Sequence, residues 1–149
     1  MEAATKKYRS FEELDVYRAA REFRKRMYGV ARKLPDIERH GLASQIRRAA
    51  VSFTNNIAEG HGRFHYLDNI KFVLISRGSL TELVDDLNIC EDERYLPPDE
   101  IASLRQEADR VLQLINGYIR YLRDQKTGAT LQIHEDTAPY GSECTELPE

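Results

Sequence analysis

The sequence predicts an all-α fold, an antiparallel up-down-up-down four-helix bundle, and three observations carry that expectation. Apolar residues recur at alternating three- and four-residue spacing in four separate stretches, each long enough for a helix. Proline or glycine falls between the stretches, which makes the links short and the neighbours antiparallel. No run shows the two-residue alternation of a strand. The 149-residue chain, 41% hydrophobic and 32% charged with no Trp, has the composition of one helical domain. The bundle is expected over residues 10–124 and a disordered acidic tail over 125–149.

The first helix opens at Ser10-Phe11-Glu12-Glu13, an S-x-x-E capping box in which hydroxyl and carboxylate satisfy the first free amides. Val16, Ala20, Phe23, Met27, Val30 and Leu34 then form one stripe, and Pro35 stops the helix. The second helix starts between Asp36 and Leu42. Its apolar face is Leu42, Ile46, Ala49, Phe53 and Ile57, and Gly60 and Gly62 are expected to end it through the left-handed conformation that glycine tolerates.

The third helix is expected from Tyr66 to Asp92, with Val73, Ser76, Leu80, Leu83, Leu87 and Cys90 on its inner face. Its acidic end opposes the helix dipole. Pro97-Pro98-Asp99-Glu100 starts the fourth helix, because proline fits a first turn and carboxylates suit the positive end of the dipole. Ile101, Leu104, Ala108, Val111, Ile115, Tyr118 and Leu122 follow at heptad spacing.

The second helix is unusual in the size and polarity of its remaining residues. Gln45, Arg48, Ser52, Asn55 and Glu59 form a polar stripe, and Ala50, Val51, Thr54 and Ala58 form a flank of mostly small residues. Such a flank lets a second backbone approach closely, so the helix is expected to lie between its own bundle and a neighbouring subunit. Asn56, Glu59, Ser79 and Glu82 are expected to be a structural polar network between the second and third helices, with Gly78 permitting close contact there.

Charge is distributed as a gradient. The net charge of −3 conceals +5 over residues 1–34, −4 over 65–97 and −5 over 127–149. Lys6, Lys7, Arg9, Arg18, Arg21, Lys25 and Arg32 make a basic face on and before the first helix, which Arg47, Arg48 and Arg63 extend. Such a face serves nucleic acid, or it meets acidic groups on a neighbouring subunit.

Several function classes find no support. Cys90 and Cys144 stand outside any CxxC or Cys/His spacing, so two free thiols and no metal site are expected. Glu59, Glu82 and His61 are ingredients for acid–base chemistry, yet nucleophile elbow, phosphate loop and ligand spacing are all missing; no catalytic residue and no cofactor is expected. No apolar run approaches a membrane span, and MEAATKKYRSFEE has no signal-peptide core, which leads to a cytoplasmic expectation.

Three linked motifs, QIRRAAVS at 45–52, NIAEGHGR at 56–63 and ISRGSLTEL at 75–83, resemble the bacterial 23S rRNA intervening-sequence proteins. The resemblance runs from about Phe11 through Leu122 and takes in Leu34-Pro35 and Tyr95-Leu96. It implies small four-helix bundles that assemble as rings, a homopentamer being the best-known state, with an architecture similar to the accessory proteins of diversity-generating retroelements. Some members are encoded inside insertions in large-subunit rRNA genes, which makes RNA a candidate partner. The chain departs from the pattern at Thr54-Asn55, where the family often has Pro-Ser, and at Arg94, where it often has glycine. Two readings follow: a nucleic-acid-binding accessory protein, and a scaffold that binds protein only.

Overall fold

A computed structural model of the chain describes residues 10–133, with side chains through residue 125. Four helices, α1 (Asp15–Lys33), α2 (Leu42–His61), α3 (Tyr66–Asp92) and α4 (Pro98–Ile133), run antiparallel in succession. Each packs on its chain neighbour, and α4 closes against α1, so α1 and α3 lie on opposite corners of the bundle. All the apolar positions assigned above to the four inner faces are buried except Tyr118, which is half-buried beside buried Ile119.

The ends of the helices follow from local chemistry, with two departures from expectation. Ser10 caps a single 3-10 turn, Phe11–Glu13, its Oγ accepting from the Glu12 amide, and α1 begins only after Leu14. Leu14 is buried and extended, and that pulls the capping turn away from the helix proper. At the far end of α2, Gly60 lies inside the helix and Gly62 caps it with φ −75°, so neither glycine supplies a left-handed residue. Gly60 serves close packing instead. A Cβ there would stand 2.7 Å from Asn69 Oδ1 and 3.0 Å from both the Asn69 carbonyl oxygen and Phe72 Cβ.

The left-handed residue sits elsewhere. Arg94, at φ 56°, follows α3, where the Arg94 amide donates to Glu91 O at 3.1 Å and the Tyr95 amide to Cys90 O at 2.8 Å. This pair of bonds is a Schellman closure, which ordinarily selects glycine. The Tyr95 hydroxyl then donates to Glu38 Oε2 at 3.0 Å, while Glu38 Oε1 accepts from the Leu42 amide at 3.5 Å. Glu38 thereby ties the α1–α2 turn to the α3–α4 turn.

Helix α4 continues to Ile133, past the end of the apolar stripe at Leu122 and past the expected bundle limit of 124. The rest of the expected acidic tail lies outside the described residues, as does Cys144. Cys90 is free and fully buried, and burial followed by the charges of Asp86 and Glu38 pushes its thiol up to about 11. Among the described residues no helix is long and apolar enough to cross a membrane.

Candidate nucleic-acid interface

Half of the small flank of α2 faces inward: Ala50 and Thr54 are buried, Ala58 is half-buried and Val51 is exposed. Ala50 is 0% and Thr54 1% exposed within the single chain, and Arg24 of α1 donates to Thr54 Oγ1 at 2.9 Å. Ala50 and Thr54 therefore admit α1 of the same bundle, so these two members of the flank are not available to a neighbouring subunit. Val51, at 38%, is the member left exposed.

The polar network between α2 and α3 is real but differently composed. Asn56 Nδ2 donates to Ser52 O at 2.8 Å and to Ser52 Oγ at 3.0 Å, Ser52 Oγ meets Ser79 Oγ at 2.9 Å, and Ser79 Oγ donates to Ile75 O at 3.3 Å. Ser52 is the bridge that sequence reasoning left out. Glu59 instead pairs with Arg63 at 2.8 Å on the surface, and Glu82 is exposed on α3. Because Ser52 and Ser79 fix the level of the two helices, Glu59 and Glu82 lie on the order of 15 Å apart along the axis. They do not converge with each other, nor with His61, on any reacting centre. Gly78 is exposed, and a Cβ there would meet nothing within 4 Å, so close contact of α2 with α3 does not explain it.

The basic residues divide into three groups. Lys6, Lys7 and Arg9 lie outside the described residues. Arg18, Arg21, Lys25 and Arg32 are exposed along α1, Arg18 donating to Glu12 O at 3.1 Å and Lys25 pairing with Glu22 at 3.2 Å. Arg47 and Arg48 face them from the start of α2, with Arg47 Nη2 donating to Arg39 O at 3.3 Å. Arg63 does not extend this patch. It stands fifteen residues after Arg48, just past the Gly62 cap at the far end of α2 and roughly 22 Å away, over the Phe72 ring at 4.8 Å. Arg26 and Lys33 also turn away, toward Glu107 and Glu100 of α4.

What remains is a groove between α1 and α2. Arg24, Lys25, Tyr28, Arg32 and Val51 line a concavity of about 560 Å³. A second concavity, of about 540 Å³, continues it along Tyr28, Arg47, Arg48, Val51, Ser52, Asn55 and Asn56. Every charged side chain in both linings is a cation, and Tyr28, half-buried, is shared between them. Tyr28 and Val51 were not singled out from sequence as site residues. Both sit one flank away from the apolar stripes, where a periodic pattern gives no signal. Among the described residues no group of three metal-ligating side chains is assembled.

A family model described as 23S rRNA-intervening sequence protein matches residues 12–117. The fold is also similar to the crystal structure of a protein of unknown function from the S23 ribosomal protein family of Bacteroides thetaiotaomicron VPI-5482. That match has a TM-score of 0.65 at 20% identity and covers 70% of this chain and 95% of the other. No curated protein matches the chain.

Proposed function

The chain belongs to the 23S rRNA-intervening sequence protein family, and from that premise we propose that it is a non-enzymatic, ring-forming accessory factor that holds RNA in the α1–α2 groove. The observation that carries this reading is that every charged side chain lining that groove around Tyr28 is a cation. Phosphates are held by arginine and lysine with release of counterions, and an aromatic ring in the same channel offers a stacking surface to an unpaired base. Binding of this type tolerates sequence and weakens steeply with salt. A ring repeats the groove once per subunit, so modest affinity per site becomes useful avidity. The number five for the subunits comes from the family resemblance, and a cytoplasmic location is the setting that suits such a role.

A mobility-shift titration of mixed-sequence single-stranded RNA tests the proposal. Arg32→Glu with Arg47→Glu is expected to weaken binding at least about tenfold and to reduce the slope of log affinity against log salt by about 2, with oligomer mass unchanged. RNA that fails to shift even at low salt overturns the nucleic-acid reading and leaves a protein scaffold.

A further inference from the structure

On the other side of α2, a groove of about 910 Å³ runs between α2 and α3, walled by Arg48 and Ser52 on one side and by Gly78, Glu82, Asp85 and Asp86 on the other. Asp86 is 6% exposed and forms no hydrogen bond or ion pair among the described residues. Burial first, then the charges of Glu82 and Asp85, pushes its carboxyl up to about 6. Arg48 makes no ion pair with any of the three carboxylates. The Asp86 carboxylate oxygens are not sealed in the core but open into the groove, and among the described residues nothing pairs them.

The second observation is a glycine that the chain itself does not need. Gly78 sits mid-helix in this wall, and a Cβ there would touch nothing. Glycine in an exposed helix interior is disfavoured unless another backbone comes close. Gly29 repeats the situation on α1, where a Cβ would again meet nothing within 4 Å. It stands one turn beyond Lys25 and two beyond Arg21, on the outer ridge of the helix. Of the cations on α1, Arg24, Arg26 and Lys33 are held by Thr54, Glu107 and Glu100, Arg18 donates to Glu12 O, and Lys25 pairs on the surface with Glu22. Arg21 is exposed and has no partner among the described residues.

We propose that the α2–α3 groove receives the outer α1 ridge of a second copy of this chain, with Arg21 meeting Asp86, Lys25 meeting the Glu82–Asp85 rim, and Gly29 and Gly78 letting the two helices close together. A planar guanidinium satisfies a carboxylate with two bonds, and opposed rim charges set the register of the docking. Because α1 and α3 occupy opposite corners of the bundle, the two mating faces differ, and the contact is head-to-tail. Repeated with a rotation that closes, such a contact makes a ring without any two-fold axis between neighbours. The inference rests on the ring-forming part of the proposed function and its test needs no RNA; Lys25, which also lines the α1–α2 groove, is shared by the two readings.

Sedimentation of the full chain at micromolar concentration and neutral pH provides the test, with circular dichroism confirming that each variant folds. Glu82→Arg with Asp85→Arg, and separately Arg21→Glu with Lys25→Glu, should each raise the assembly dissociation constant at least about tenfold. Combining Glu82→Arg and Asp85→Arg with Lys25→Glu, which leaves Arg21 on Asp86, should recover most of the loss caused by the rim reversal. Asp86→Asn should weaken assembly while raising the melting temperature of the dilute, dissociated chain by a few degrees, because it removes a desolvated charge. Gly78→Ala should separate the two properties in the same way. An oligomeric wild type whose mass is unmoved by the paired reversals, or whose rim-reversed form is not recovered by Lys25→Glu, overturns the inference alone. A wild type that sediments as a monomer overturns the ring reading and the inference together.

Discussion

Arg94 concentrates the residue-scale cost of this fold in one place. It occupies the left-handed position of a Schellman closure, where its Cβ crowds the backbone and glycine would not. The family resemblance marks this position as a frequent glycine, and the structure supplies the reason. Arg94→Gly is expected to raise unfolding free energy by about 1 kcal/mol, read as a higher urea midpoint at unchanged slope. A midpoint that stays or falls would show that the arginine side chain returns more than its backbone costs. Asn69 presents the opposite balance. Its Nδ2 donates to the Tyr118 hydroxyl at 3.3 Å, while its buried Oδ1 has no hydrogen-bond partner among the described residues and lies where a Cβ of residue 60 would intrude.

At the scale of elements, that crowding makes the α2–α3 contact the most demanding in the bundle. Gly60→Ala should cost about 2 kcal/mol by thermal or urea unfolding, since Asn69 O is backbone and cannot swing aside. A variant as stable as the parent would mean that α3 can shift without loss. The helices themselves were legible in the sequence: α3 spans the expected Tyr66–Asp92, and the inner faces follow the apolar stripes. Periodicity fixes where a residue sits around its own helix, so Ala50 and Thr54 could be placed on a flank. It does not fix which helix lies beside that flank, and at Ala50 and Thr54 the helix that lies there is α1 of the same chain. Axial level between helices is equally silent in sequence. Asn56 and Ser79 were legible as network members, but Glu59 and Glu82 belong to other levels, and the bridge is Ser52. Asp86 was hidden for a related reason, because an acidic residue beside an apolar stripe reads as surface until the packing of its neighbours is known.

Across the whole molecule, charge is sorted by helix. α1 carries cations outward, α3 carries carboxylates along its last turns, and the two lie on opposite corners. The clamp at one end of the bundle has a different consequence, in time rather than in energy. Glu38 holds the Leu42 amide with one oxygen and the Tyr95 hydroxyl with the other, so the two turns it joins breathe as one opening unit. Amide hydrogen exchange should report this directly. Tyr95→Phe, which removes only the hydroxyl, is expected to speed exchange about fivefold at the amides of both Leu42 and Tyr95, although they lie more than fifty residues apart in the chain. Acceleration confined to Tyr95 would mean that the turns open separately. If they open together, local fluctuation at this end of the bundle is slow and concerted, and the first strokes of unfolding begin elsewhere.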